Sequence, residues 1–248
     1  DMRTTVEVAK RFQGPPGTGN GGYVSGMLAS YLPDPIAARG VEATLRAPTP
    51  LDVSLELATE ASRIAAYSGE VLIGEAIPAE LDLDVPASPS YAQALAAQPH
   101  SAALDPHIEN IVPGGLGFHP VCFCCGADVP EGIGLRVFAA PVAGFEGVAA
   151  AWRPHGAFRD DTGVLPTPIV WAALDCPGQY AYLAANIRTG LLGRMTAKIL
   201  APVVGDAFVI TGWRIAVEGK KRFAGTALFN AEGKCCAYSK QVWIGRRE

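Results

Sequence analysis

The chain has 248 residues, enough for one large domain or two small ones, and 49% of them are hydrophobic while 18% are charged. This composition supports a sizeable packed core and excludes an intrinsically disordered chain. The net charge is −4 without a basic tract, so we expect no nucleic-acid partner. Apolar runs are interrupted before they reach membrane-spanning length, and residues 1–15 lack the apolar core of a signal peptide, so we expect no membrane partner.

The first distinctive stretch is the glycine-rich loop Gly14–Gly22, GPPGTGNGG, which looks like a phosphate-binding loop. Such a loop needs Lys and then Ser or Thr at the positions that Asn20 and Gly21 occupy here, so nucleotide binding is not expected. The loop instead leads into a predicted helix over Gly21–Leu32. Bare glycines at a helix start leave the first backbone N–H groups open to an oxyanion or a polarised carbonyl. A tight turn that packs on a neighbour is the structural alternative.

Two segments of the chain resemble each other, residues 43–76 and residues 197–230. Both contain the pattern Ala-Pro-x-x-x-Asp, then alternating apolar residues typical of a strand, then a polar turn and another strand. The second strand of each segment is predicted at Val71–Ala76 and at Phe223–Phe229. The pattern therefore indicates an internal repeat.

A predicted helix precedes the strands of each half. In the second half it covers Pro168–Ala185, and a final strand is predicted at Cys235–Ile244. A helix against antiparallel strands indicates an α+β fold. The stretch Asp82–Glu131 between the halves is rich in Pro, Ala and Gly and predicts a connector with one short helix. We therefore divide the chain into an N-terminal unit, a connector with a Cys-rich turn and a C-terminal unit, at residues 1–81, 82–131 and 132–248.

This order of elements resembles the hotdog-fold thioesterases, in the form with two copies per chain called a double hotdog. Residues 193–244 resemble the strand meander of that family, and Trp171–Gly178, WAALDCPG, resembles its helix with a central acid. Cys122–Phe138 resembles a Cys-Phe-x-Cys-Gly segment that precedes the sheet in some members, and residues 19–29 resemble the helix start more weakly. The resemblance implies two tandem hotdog repeats, each a long helix wrapped by a curled antiparallel sheet.

The resemblance also implies an acyl-CoA thioesterase that needs no cofactor. In the family, an acid on the helix activates water or attacks the thioester, while backbone N–H groups at the start of the opposing helix hold the carbonyl oxygen. This places the acid on Asp175 and the helix start on Asn20, Gly21 and Gly22, with the N–H groups of Gly22 and Tyr23 as oxyanion donors. Asn20 replaces the family's His, and its amide is expected to orient the substrate. Tyr23 is also a candidate to line the acyl channel, with a core position as the alternative.

The two halves divide the parts of the expected site, so only one complete site is predicted. The first half has Ala29-Ser30 where an acid would fall, and the second half has Pro166-Thr167-Pro168 in place of the glycines. Burial in an apolar helix would raise the pKa of Asp175 and suit it to act as a base on water. Capping a turn, or pairing with an Arg, is the structural alternative for Asp175. Gln179, one turn later, is a candidate substrate contact or an ordinary polar helix residue.

A basic turn in the second half is the predicted contact for the phosphates of coenzyme A. It spans Glu218–Arg222, and its candidate contacts are Lys220, Lys221 and Arg222. His155, between Arg153 and Arg159, is a second candidate of the same kind. In both cases a solvated surface segment is the structural alternative.

Six cysteines occur, and adjacent pairs among them suit disulfides poorly, so a reducing cytoplasm is expected. Cys122 and Cys125, with His119 nearby, form half of a zinc ligand pattern. Because a second such pair is missing, we expect buried packed thiols and no metal. A catalytic cysteine is not expected, since no positive charge lies nearby in sequence to favour a thiolate.

Two other functions remain as alternatives. Hotdog enoyl-CoA hydratases rely on an Asp and a His five positions later, and this chain has Tyr180 at that distance from Asp175, which argues against hydration. A non-catalytic acyl-CoA or lipid-binding hotdog protein would fit the missing His and the single site. A homo-oligomer of double-hotdog chains is compatible with each of these functions.

Overall fold

The computed structural model describes residues 2–33, 39–105 and 120–245. The described strands form one antiparallel sheet of 11 strands. In chain order the strands are β1 (Met2–Glu7), β2 (Val41–Leu45), β3 (Ser54–Glu60), β4 (Arg63–Ser68), β5 (Val71–Pro78), β6 (Ala140–Pro141), β7 (Val148–Trp152), β8 (Leu191–Ile199), β9 (Phe208–Glu218), β10 (Lys221–Asn230) and β11 (Cys235–Ile244).

The order of the strands repeats between the two halves of the sheet. From one edge to the other it runs β1-β3-β4-β5-β2-β8-β11-β10-β9-β7-β6. Apart from the two-residue β6, each half places its first, third, fourth, fifth and second strands side by side, and the second strands β2 and β8 join the halves. Arg194 donates from Nε to Thr44 Oγ1 at 3.1 Å across this junction. The sequence predicted one sheet for each repeat, and the structure joins the two as the halves of one continuous sheet.

The predicted alignment of the repeat is wrong by one strand. It matched Val71–Ala76, on β5, with Phe223–Phe229, on β10, whereas the strand order matches β10 with β4 and β5 with β11. The missed strand is β4. Its buried residues include the small Ala65 and Ala66, so its sequence lacks the alternation of large apolar and polar residues that marks the neighbouring strands. The final strand Cys235–Ile244 is confirmed.

Four α-helices lie in the described part of the chain: α1 (Gly21–Ser30), α2 (Tyr91–Ala97), α3 (Thr167–Ala173) and α4 (Cys176–Leu183). None of them has the length and hydropathy needed to cross a membrane. Helix α1 confirms the first predicted helix, two residues shorter, and α2 is the short helix expected in the connector. The single helix predicted over Pro168–Ala185 is two helices, because the chain breaks at Leu174 and Asp175. Pro177 lies in the first turn of α4, where a missing N–H is tolerated.

Helices α1 and α3 pack closely because two glycines face the second helix. A Cβ added to Gly26 would lie 2.6 Å from Trp171 Cβ and 2.9 Å from Pro168 Cα. A Cβ on Gly22 would lie 2.6 Å from Asp175 Cβ. A methyl group at either position could not be accommodated without moving the partner helix. The glycines therefore bring the start of α1 against the break between α3 and α4.

Candidate active site

Asp175 lies at the helix break and contacts the start of the opposing helix. The residue is 3% exposed, and its Oδ2 accepts a hydrogen bond from the Gly22 backbone N–H at 2.9 Å. The acid and the glycine helix start, predicted to meet, are thus in direct contact. The second oxygen, Oδ1, is buried without a hydrogen-bond partner among the described residues. A buried carboxylate oxygen in this state is costly unless water or a ligand supplies a donor.

The electrostatic surroundings of Asp175 are unusual for a carboxyl group. Burial raises the pKa of Asp175 to about 7, and negative charge on Cys122 acts in the same direction. The hydrogen bond from Gly22 and the side chain of Asn20 oppose this by lowering the pKa. Desolvation outweighs both, as predicted for a carboxyl group in an apolar helix.

The start of α1 is capped by Asn20, which changes the expected oxyanion donors. Asn20 is buried; its Oδ1 accepts from the Tyr23 N–H at 2.9 Å and its Nδ2 donates to Cys122 Sγ at 3.6 Å. The N–H groups of Gly22 and Tyr23, predicted as oxyanion donors, are therefore both engaged, one by Asp175 and the other by the cap. The Gly21 N–H has no partner among the described residues, and Gly21 lines the adjoining cavity. Of the first-turn donors, Gly21 is the one open to a ligand.

A cavity of about 280 Å³ opens beside Asp175. Gln179 lines it and is 3% exposed, and its Nε2 has no hydrogen-bond partner among the described residues. The structure thus places this predicted contact at the site. Most of the wall is apolar, and the larger apolar side chains in it are Leu45, Leu191, Leu192, Trp243 and Ile244.

The Tyr23 ring does not line this cavity, which corrects the prediction of a place in the acyl channel. It stacks on Phe12 with ring centroids 3.9 Å apart, and Phe123 meets it edge-on at 5.9 Å. The backbone N–H of Phe123 also donates to Gln13 O at 2.8 Å. The three rings therefore fix the Cys-rich turn against the start of α1.

Gln241, on β11, positions Asp175 and was missed by sequence reasoning. Its Nε2 donates to the carbonyl oxygens of Leu174 and Asp175, both at 2.8 Å, and its Oε1 accepts from Trp243 Nε1 at 2.9 Å. These two carbonyls lie at the break between α3 and α4, where helix bonding is interrupted. The signal was a polar residue at an inward position of an alternating strand, since Ala237, Ser239 and Trp243 on the same face are buried.

Thiols form another wall of the site. Cys122 and Cys125 come from the turn between the halves and Cys176 opens α4; Cys122 Sγ lies 3.7 Å from Cys176 Sγ. Hydrogen bonds from the Cys125 and Cys176 thiols hold the pKa of Cys122 well below its usual value. The argument against a catalytic cysteine considered only nearby positive charges and did not include these thiol neighbours. His119 lies outside the described residues.

Comparison with known proteins gives matches in structure alone. No protein-family model matches the chain, and no curated protein does so by sequence. A TesB protein from Mycobacterium avium subsp. paratuberculosis superposes with a TM-score of 0.61 at 14% identity, covering 98% of this chain and 92% of that chain. The chain has a hotdog fold. Two further hotdog relatives in structure are the acyl-CoA thioesterase II TesB2 from Mycobacterium marinum (TM-score 0.58, 14% identity, covering 99% and 93%) and a protein of unknown function with a hotdog fold from Alicyclobacillus acidocaldarius (0.55, 12%, 99% and 94%).

The basic residues of this hotdog chain are distributed differently from the prediction. Arg222 is 3% exposed and donates to the carbonyl oxygens of Arg188 and Gly219, so it is a structural residue rather than a phosphate contact. Lys220 and Lys221 are exposed, and the carbonyl of Lys220 accepts from Gly245, the residue after Ile244 of the cavity wall. The backbone of Lys220 thus contacts the end of β11 beside the cavity, and neither lysine lines the cavity.

His155 and Arg46 are two further basic residues, and only Arg46 lines the cavity. His155 caps a short turn by accepting from the Ala157 N–H at 3.0 Å, and neither it nor its two arginine neighbours lines the cavity. Arg46 lines the cavity and was not predicted. It pairs with Glu75 at 2.8 Å, and its side chain is 48% exposed. Arg46 is thus the guanidinium group that faces the site from the first half.

Proposed function

We propose that the chain is a double-hotdog acyl-CoA thioesterase, with an N-terminal hotdog at 1–81, a connector at 82–131 and a C-terminal hotdog at 132–248. The observation that carries the proposal is the 2.9 Å contact between Asp175 Oδ2 and the Gly22 N–H, at the wall of a largely apolar cavity. A buried carboxylate beside an open helix start supplies both parts of thioester hydrolysis, a base for water and donors for the carbonyl oxygen. The similarity to named thioesterases over nearly the whole chain supports the same function.

Asp175 acts as the general base in this mechanism. The Gly22 N–H fixes Oδ2, so that Oδ1 is left to hold a water molecule. As the water oxygen bonds to the thioester carbon, Asp175 takes its proton. The tetrahedral intermediate then breaks its C–S bond, the proton returns to the leaving thiolate, and carboxylic acid and free thiol are released.

The carbonyl oxygen is held by the start of α1. The Gly21 N–H is the donor open to the cavity, and the positive end of the helix dipole stabilises the negative charge that develops on the oxygen. Gln179, whose Nε2 has no partner among the described residues, orients the thioester, and Asn20 contributes by capping α1. Lys220 and Lys221, exposed on the turn beside the end of β11, are the proposed contacts for the phosphates of coenzyme A, and their contribution is salt-dependent.

Hydrolysis of a panel of acyl-CoAs, followed with a thiol reagent, tests the proposal. We expect Asp175→Asn to lower kcat by about 100- to 10,000-fold, because it removes the base while keeping the shape of the side chain. Asp161→Asn is the matched control, since Asp161 is exposed, and it should retain the wild-type rate. An Asp175→Asn variant as active as this control would refute the role of Asp175.

A single-turnover reaction in 18O-labelled water separates a base from a nucleophile. A base delivers the label directly to the carboxylic acid product. A nucleophilic carboxylate would form a mixed anhydride with the acyl group. Attack of water on the Asp175 carbon of that anhydride would leave the label in Asp175. Label found in the protein would therefore replace the general-base mechanism with the nucleophilic one.

The alternative is a non-catalytic acyl-CoA-binding hotdog protein. One observation favours it: the N–H groups of Gly22 and Tyr23 are both occupied by internal hydrogen bonds. Calorimetric titration with the same acyl-CoA panel distinguishes the two functions. Saturable binding by the wild type without release of thiol would favour the binding protein.

A further inference from the structure

Three cysteine thiols from two parts of the chain converge beside the candidate site. The ligand atoms of Cys122, Cys125 and Cys176 all lie within 4.8 Å of one another, and the three residues are buried and unpaired by disulfides. Cys122 and Cys125 are three residues apart in one turn, whereas Cys176 is 54 residues from Cys122. The fold therefore supplies the third ligand that the sequence pattern lacked.

The turn that carries the first two thiols has the form of a metal-binding knuckle. The Gly126 N–H donates to Cys122 O at 2.8 Å and closes this turn. Only glycine fits at position 126, because a Cβ there would lie 2.4 Å from Pro120 O. Two cysteines separated by two residues in such a turn present both sulfurs to one point.

The spacing of the sulfurs suits a tetrahedral thiolate centre. Zn–S bonds of about 2.3 Å in a tetrahedron place sulfurs about 3.8 Å apart. The observed separation of Cys122 and Cys176 is 3.7 Å. A disulfide would need the two sulfurs at about 2.0 Å and would leave the third thiol without a role.

The surroundings of the cluster suit a cation as well. The side chains that interact with the three thiols include those of Cys124, Asn20, Asp175 and Tyr180, and no Lys or Arg is among those identified in the described structure. Soft sulfur ligands select thiophilic ions such as Zn²⁺.

We propose that Cys122, Cys125 and Cys176 bind one thiophilic divalent cation, Zn²⁺, as a three-sulfur site. Binding replaces the thiol protons that remain, and these are released to solvent. All three residues line the cavity, so the fourth coordination position faces it. The carboxylate of Asp175 lies outside the group of atoms within 4.8 Å and is not a ligand. The ion would tie the turn to the first residue of α4.

Cobalt titration of the reduced, metal-free protein tests the site without reference to hydrolysis. We expect one Co²⁺ per chain, a sulfur-to-cobalt charge-transfer band, and displacement of that band by Zn²⁺. Cys176→Ser should weaken Co²⁺ binding more than about tenfold, since losing even an outer hydrogen-bond partner of a ligand costs 10- to 100-fold. Cys236→Ser, a buried thiol on β11, is the control and should keep the band. A wild type without the band, or a Cys176→Ser variant that retains it at full affinity, would overturn the proposal.

X-ray absorption at the zinc edge provides a second measurement that needs no variant. The zinc-loaded wild type should show three sulfur neighbours at about 2.3 Å. Failure of the folded, reduced wild type to retain Zn²⁺ would overturn the site, and so would a shell of only nitrogen and oxygen. If Cys176→Ser does not fold, this measurement decides.

Discussion

The two halves of the chain share an order of strands but differ in the helices that they place at the centre. Helix α1 begins with two glycines under the Asn20 cap and carries Ala29-Ser30 where an acid would fall. The second half begins its helix after Pro166, where Pro168 lacks an N–H, and breaks it at Asp175. One half supplies donors and the other supplies the acid. The repeated strand order thus carries two different helix starts, and the contact between Gly22 and Asp175 joins them.

The break in the second helix is supported by strand β11. Gln241 donates from Nε2 to the carbonyl oxygens of Leu174 and Asp175 at this break. Helix α4 approaches β11 so closely at Gly178 that a Cβ there would lie 1.8 Å from Gln241 Oε1. The break and its support by β11 hold the carboxylate toward Gly22.

Gln241→Met tests this support and should have the largest effect on stability. The substitution keeps the volume but removes a hydrogen bond to each of two carbonyls and the acceptor of the Trp243 N–H. We expect a loss of about 2–4 kcal/mol in the free energy of unfolding, measured by urea denaturation. If the proposed thioesterase function holds, kcat should fall while KM changes little.

Lys240→Met is the matched control for this substitution. It lies on the same strand but outside the inward row, so its effect should stay within about 0.5 kcal/mol. Equal stability of Gln241→Met and this control would show that the helix break does not depend on β11.

Part of this arrangement was predictable from the sequence. The bare helix start at Gly21 and Gly22, the acid at Asp175 and the contact between them followed from the sequence and a family resemblance, and that contact is observed. The strand β11 followed from its alternation. These features are local, or are repeated between the halves, and therefore leave a periodic pattern in the sequence.

The remainder depends on tertiary contacts that no local pattern specifies. The hydrogen bond from Gln241 to Asp175 O and the contact between Cys176 and Cys122 each join residues more than 50 positions apart in the chain. The engagement of the Tyr23 N–H by Asn20 depends on cap geometry that several residue types would allow. The helix break did have a signal, Pro177, which is unfavourable within a helix and favourable at its start.

Gly22→Ala and Gly26→Ala test the close approach of the two halves. Each added methyl group would meet atoms of the second half at 2.6 Å, so we expect a loss of about 1–3 kcal/mol in unfolding free energy. If the proposed thioesterase function holds, hydrolysis should fall more strongly in Gly22→Ala, because that methyl group displaces the Asp175 carboxylate itself.

Gly156→Ala is the control for both glycine substitutions. A Cβ at Gly156 has no atom within 4 Å, so its stability should equal that of the wild type or exceed it slightly. If Gly22→Ala and Gly26→Ala were as stable as this control, the helices would have room to separate, and the contact between the halves would not depend on glycine.

The smallest expected effect on stability comes from changing Glu75, which pairs with Arg46 at the cavity wall of the first half. Hydrogen bonds from Arg46 and then from Arg63 keep the pKa of Glu75 below its usual value. Because the pKa is lower in the folded state, the carboxylate adds stability above the unfolded pKa of about 4.3, and this is lost as the pH falls through the folded pKa. After allowance for solvent screening of the partly exposed arginines, we expect Glu75→Gln to cost less than about 1 kcal/mol at pH 7.

Urea unfolding at pH 7 and at about pH 3 measures this dependence, since the unfolded carboxyl is mostly protonated at the lower value. The difference between wild type and Glu75→Gln should be largest at pH 7 and shrink in acid. Glu56→Gln is the control, because its pair with Arg3 is exposed, with side-chain exposures of 52% and 67%, and should change little at either pH. A difference for Glu75→Gln that grew in acid would mean that the charge of Glu75 opposes folding. The first half would then hold Arg46 at the cavity through backbone packing rather than through this ion pair.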